Sequence, residues 1–172
     1  MDRTITGFHQ DVAGDWVAEL SCGHDQHVRH RPPFQERPWV VTAEGRHGRL
    51  GTSLPCPLCD RSELPESACP VRSSPVWDER TMPAGLRRAH QLAPGTWGVL
   101  RVHDGALRFS TGHVPSTGME LRSGSPPLVI PPQALHQVSP SGPVRFSIEF
   151  FTVDRGLHGG SRIGNVGDGH DR

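Results

Sequence analysis

Two short stretches carry residue types and spacings that suit a metal ion. Cys22 and His24 stand in LSCGHDQHVRH, and Cys56 and Cys59 stand in LPCPLCD. Structural zinc takes four tetrahedral ligands, usually thiolates and imidazoles. Two ligands one or two residues apart can converge from a single tight turn, and Gly23 has the backbone freedom such a turn needs. Neighbouring histidines keep an alternative open. In an extended stretch Cys22 and His24 share one face and His27 takes the other, whereas a helical stretch makes His27 and His30 neighbours. His24 is taken as the fourth ligand with His27 as its substitute, and Zn2+ as the cofactor of this segment. Cys69 lies apart in polar sequence and reads as a free surface thiol.

A second, more dispersed set is His90 in RRAHQLAPGTWG, His136 in VIPPQALHQV and Glu149 in FSIEFF. Two imidazoles and a carboxylate suit a divalent transition ion with open positions for substrate or water. This would be a second, unidentified divalent metal. The condition is one of phase. Glu149 alternates with Phe146, Ile148 and Phe150, so it falls on the face of Arg145 and Ser147. That face either lines a cavity or meets solvent, and in the second case the ligand reading fails. His103 and His113 read as solvated. No catalytic residue is assigned; turnover, binding and sensing stay open.

These residues need elements to hold them. TITGFHQ and DWVAELS flank DVAG as a hairpin, RPWVVT reads as a further strand, and AEGRHGRLG as one or two turns of helix. Downstream, TWGVLRVH turns at DG into ALRFS, PPLVIPP is a short apolar run, and VRFSIEFFTV is the longest alternating strand. ERTMPAGLRRAH could form a short helix opening at Pro83. The expected fold class is mainly β. A small zinc-stabilised β module (1–60) is followed by a linker (61–74), an antiparallel β-sandwich or barrel (75–154) and a disordered Gly-rich tail (155–172). A module of about 60 residues with few large apolar side chains often needs a metal to be stable.

Composition bounds the function. Gly and Pro number 20 and 17, favouring short strands and turns, and the formal net charge is zero. Every basic residue is Arg, with no broad basic field of the kind nucleic-acid binders carry. No apolar run approaches a membrane span, and the N-terminus has no signal-like core, so a cytoplasmic protein is expected. Arg29, Arg31, Arg37, Phe34 and Trp39 could form an anion- or nucleic-acid-binding surface. The favoured reading has the aromatics in a small core and the arginines solvated.

Residues 7–60, through GDWVAELSCGH, RPWV and CPLCD, resemble a small bacterial domain of unknown function of the pressure-regulated, zinc-ribbon-like type. The resemblance implies a zinc module and no established activity. Residues 74–153, through GTWG, the PP…H.V turn and the final EFF, resemble the cupin-like domain of tellurite-resistance-related proteins. That resemblance implies a cupin-type β-sandwich with His90, His136 and Glu149 at its metal-ligand positions. It also implies a stress-related role, and in relatives fusion to a tellurite-detoxifying methyltransferase. This chain shows no strand–Gly-rich-loop–helix unit of the kind a nucleotide-type cofactor would need, so methyl transfer by this chain alone is not expected. The expected partner is a small-molecule or anion ligand, with a homodimer conceivable and neither membrane nor nucleic acid expected. The alternative is a regulatory adaptor, its zinc module binding protein or nucleic acid and its cupin domain sensing a ligand. A third reading is a scaffold whose β-body dimerises.

Overall fold

The computed structural model describes residues 1–28, 37–112 and 118–153. It is mainly β, built as two antiparallel sheets. The first sheet begins with β1 (Asp2–Gln10) and β2 (Trp16–Leu20). They pair as the predicted hairpin, from Ile5 opposite Leu20 to Gln10 opposite Trp16. Its turn is set by Asp11, whose carboxylate accepts from the Ala13 and Asp15 amides at 2.9 Å, and by Gly14 at φ +81°. β3 (Asp25–His27) and β4 (Ser53–Pro55) complete the order β3-β2-β1-β4.

RPWVVT, expected as a strand, forms a 3-10 turn over Pro38–Val41. Pro38 occupies its first position, where a missing N–H costs nothing, and the Val40 amide closes on the Arg37 carbonyl at 3.0 Å. Two short helices follow. α1 (Ala43–His47) is capped by Thr42 Oγ1, which accepts from the Gly45 amide at 3.0 Å. α2 (Pro57–Asp60) opens with Pro57 at its first position.

The second sheet runs β5-β10-β7-β8, with β6 added on β10 and β9 on β7. Its members are β5 (Ala68–Ser73), β6 (Trp77–Asp78), β7 (Thr96–Thr111), β8 (Met119–Arg122), β9 (Leu128–Ile130) and β10 (His136–Val153). The pair β7/β10 is the spine, in register from His136 opposite Thr111 to Thr152 opposite Thr96. The alternation of β10 is as expected: Val144, Phe146, Ile148 and Phe150 are buried, in one cluster with Leu100, Val102, Leu107 and Phe109 of β7. ERTMPAGLRRAH yields a single 3-10 turn, Ala84–Arg87, capped by Pro83.

Two expectations are corrected here. The DG step does not turn the chain, because β7 continues through it. Gly105 sits there at φ +72°, and a Cβ would lie 2.0 Å from the Pro143 carbonyl oxygen. Gly105 pairs with Val144, and the extra residues of the bulge lie on β10 between Pro140 and Val144. The stretch 61–74, expected as a linker, contains β5, which pairs with β10 from Ala68 opposite Val153 to Ser73 opposite Glu149. Its side chains are largely exposed, so it adds backbone hydrogen bonds without apolar burial.

The two sheets are not separate bodies. Trp97 of β7 is fully buried in the cluster of Ile5, Ala18, Leu20, Val28, Val40 and Leu54. Val129, Phe151 and Val153 from the second sheet pack on the same cluster. Among the described residues no helix is long and apolar enough to cross a membrane.

Candidate metal centre

Cys22 and His24 sit on the turn that leaves β2. The Gly23 amide donates to the Leu20 carbonyl at 2.8 Å and the Leu20 amide to the His24 carbonyl at 3.0 Å. This requires φ +95° at Gly23, a left-handed angle suited to glycine. A Cβ there would also strike Val153 Cγ2 at 2.3 Å. Cys56 is the N-cap residue of α2 and Cys59 lies one turn on, so both face the same way. β4 carries α2 to the β2 turn because it pairs with the start of β1, Asp2 opposite Pro55.

All four side chains are buried, and their ligand atoms lie within 4.8 Å of one another. The measured edges are Cys22 Sγ–Cys56 Sγ 3.9 Å and His24 Nδ1 to Cys22, Cys56 and Cys59 Sγ at 3.6, 3.4 and 3.7 Å. A zinc tetrahedron with bonds of about 2.3 Å to sulfur and about 2.1 Å to nitrogen has edges of about 3.8 Å (S–S) and about 3.6 Å (S–N). These four edges therefore match those such an ion needs. His27, the substitute, is not among them. Its side chain is 49% exposed and its Nδ1 faces Asp11 Oδ2 at 3.6 Å.

The electrostatics point the same way. Cys22 is drawn below the ordinary thiol range, chiefly because the Cys59 thiol donates to it. Cys56 is raised, mainly by burial. Cys59 is pushed up to about 12, first because its proton is held by Cys22 and then by burial. Without a cation the cluster thus carries a proton that cannot readily leave. A divalent ion would allow all three sulfurs to ionise together.

The second constellation is only partly assembled. His90 and His136 form a bridge, each amide donating to the other's carbonyl at 2.9 and 2.8 Å. Their ring centroids lie 4.2 Å apart. His90 Nδ1 is 2.9 Å from the Arg88 carbonyl oxygen and His136 Nδ1 2.7 Å from that of Ala134. A carbonyl can only accept, so both Nδ1 atoms carry a proton, and in the neutral rings Nε2 is the atom left as acceptor. Buried His136 stacks on Phe109, with ring centroids 5.4 Å apart, and burial pulls its pKa below the usual imidazole value.

Glu149 does not join the pair. It alternates with the buried residues of β10 and is half-buried on the opposite face, between Ser73 of β5 and Val99 of β7. Strand phase alone separates it from the face of Phe146 and Ile148. Among the described residues the Cys22–His24–Cys56–Cys59 group is the only cluster of three or more potential metal ligands.

Other predicted residues fall as follows. His103 is exposed, with Nε2 2.8 Å from Ser147 Oγ, and Cys69 is exposed. Trp39 is half-buried against the first core, edge-on to Phe8 and covered by Arg49 at 5.2 Å. His30, Arg29, Arg31, Phe34, His113 and the tail from 155 lie outside the described residues.

Two contributors escape the motif reading. The Trp97 indole N–H donates to the Cys22 carbonyl at 2.7 Å, and its ring meets that of His24 at 5.3 Å. Arg3 is 5% exposed, and its Nε lies 3.2 Å from Cys59 Sγ. An arginine at the buried phase of a strand, two residues before buried Ile5, is the signal that could have found it.

Comparison with known proteins matches two segments of the chain. Residues 6–63 match DUF3565, described as a protein of unknown function, and residues 72–148 match the TehB-like domain. Each match covers less than half of the chain, so what is shown is a likeness of each segment to its family. A crystal structure of a protein from E. coli strain K12 aligns over 53% of this chain and 96% of its own, with 26% identity and a TM-score of 0.49. The crystal structure of TehB from Haemophilus influenzae aligns over 51% of this chain, with 24% identity and a TM-score of 0.48. This chain spans only 32% of that TehB. Comparison with curated proteins gives no match.

Proposed function

We propose that this chain is a tellurite-resistance-related metal protein in which a zinc ion held by Cys22, His24, Cys56 and Cys59 fixes the DUF3565-like segment onto a ligand-binding TehB-like domain. The observation that carries it is the set of four buried donor atoms at tetrahedral spacings. Three thiolates and an imidazole leave no open position for substrate, so this ion is structural.

The binding part of the reading rests on His90 and His136. Their Nδ1 protons are committed to backbone carbonyls, an arrangement that orients metal-binding imidazoles in other proteins. The two Nε2 atoms would hold a divalent ion in a cupin-type pocket, with a small anionic or oxidised ligand completing it. Tellurite enters through the TehB-like match alone. With this chain spanning 32% of the Haemophilus protein, none of that protein's own activity is transferred.

The test is elemental analysis of the untagged protein, with and without added Ni2+ or Mn2+. About one zinc per chain should be present and be lost in Cys56→Ser. A second, weaker equivalent of added metal should disappear in His136→Ala while the zinc stays. Protein without zinc refutes the first half of the reading. A second equivalent indifferent to His136 refutes the other half.

A further inference from the structure

The three sulfurs of the centre do not share one kind of surrounding. Cys22 receives the backbone N–H of His24, and Cys56 receives that of Cys59. Each is the donation a tight metal-binding turn provides, from two or three residues further along. Cys59 has no such donor available in its own turn. The Arg61 amide goes to the Pro57 carbonyl at 3.1 Å and the Ser62 amide to the Cys59 carbonyl at 3.1 Å. The helical turn of α2 has consumed both.

Arg3 supplies what is missing. It projects from β1, far away in sequence, and is 5% exposed. Among the described residues its guanidinium donates to two sulfurs: Nε to Cys59 Sγ at 3.2 Å and Nη2 to Met1 Sδ at 3.1 Å. A buried guanidinium is costly without a negative partner. A thioether carries no charge, and a neutral thiol carries none. A divalent ion with three thiolates and a neutral imidazole carries one net negative charge, which a single arginine cancels. The burial of Arg3 is therefore accounted for by a loaded centre and not by an empty one.

We propose that Arg3 is a positioning residue of the metal centre: it donates to the Cys59 thiolate and balances the charge of the loaded cluster, keeping that sulfur bound and poorly nucleophilic. The inference rests on the metal reading above. An N–H···S bond withdraws electron density from sulfur, which lowers its reactivity toward electrophiles and raises the energy of sulfur-to-metal charge transfer.

The experiment compares wild type, Arg3→Met and Arg3→Lys, each loaded with zinc or with Co2+. Zinc transfer to a chromophoric chelator should accelerate about 10-fold or more in Arg3→Met, the scale at which outer hydrogen bonds act on metal sites. Iodoacetamide mapping should find Cys59 as the newly modified sulfur. The cobalt charge-transfer band should move to lower energy. Arg3→Lys keeps the charge and should fall between the two. It also serves as the informative variant if Arg3→Met does not fold. A wild type that takes up neither ion overturns the metal centre and this proposal with it. A wild type that loads normally, with both variants matching it in release rate, alkylation and spectrum, overturns the role of Arg3 alone.

Discussion

Replacing Trp97 by Phe tests whether the metal segment and the β-body unfold as one unit. The indole N–H to the Cys22 carbonyl is a buried 2.7 Å hydrogen bond. Removing the donor strands a buried carbonyl, at roughly 1–3 kcal/mol. The smaller ring leaves a void where Trp97 now packs with no exposure, adding about 1–2 kcal/mol. A loss of about 2–5 kcal/mol is a large part of the roughly 5–15 kcal/mol that holds a domain together. Guanidinium unfolding of zinc-saturated protein should be followed by far-UV circular dichroism and by zinc release to a chromophore. Both curves should shift together to lower denaturant, because Trp97 belongs to β7 and also lies in the cluster that houses the cysteines. If the variant loses less than about 0.5 kcal/mol, or if the spectroscopic curve moves while zinc release stays put, the shared-core argument is wrong.

Two further predictions concern pH. Zinc binding must displace thiol protons, including that of Cys59, whose pKa is about 12 before metal binds. Affinity measured against a competing chelator should therefore fall as pH falls, more steeply than a one-proton dependence; a flat profile would exclude thiolate ligation. His136 has a folded-state pKa lowered from 6.5, first by burial. The folded state then binds fewer protons than the unfolded one near and below that value. Stability is fully present above about pH 6.5 and is lost as pH falls through the depressed folded pKa. With zinc saturating, His136→Asn should flatten this part of the stability profile, and an unchanged slope would show that His136 does not titrate as a buried base.

The candidate ligands of the first site were legible because each pair is local. A C-x-H turn and a C-x-x-C turn write their geometry in adjacent residues, and only the meeting of the two needed the fold. Arg3 and Trp97 were not legible in that way. Trp97 reaches Cys22 across 75 positions and Arg3 reaches Cys59 across 56, distances at which no local pattern survives. The alternation of β10 was readable, and the same alternation places Glu149 away from the buried face. The weak points were edges and interruptions. β5 has the polar, proline-bearing composition of a linker, and it is a strand because β10 offers it a partner. The DG step has turn chemistry, yet the chain runs straight through it because β10 continues alongside, and Gly105 makes room for the bulge of β10.

The shared core also explains why the first segment can be so small. Its cluster includes three cysteines and a tryptophan contributed by the second sheet, so much of its interior is a prospective metal centre and a borrowed ring. The seven residues from His90 to Thr96 are then tied at both ends. His90 is bridged to His136 at one end, and Trp97 is hydrogen-bonded to Cys22 at the other. Between them the Leu92 carbonyl accepts from the Gln133 amide at 3.1 Å, and a Cβ on Gly98 would sit 3.1 Å from Leu92 Cδ1. The segment has little slack, so the conformation that presents the two imidazoles is braced against the turn that carries Cys22 and His24. One short braced segment thus joins the His90–His136 bridge to the turn that carries Cys22 and His24.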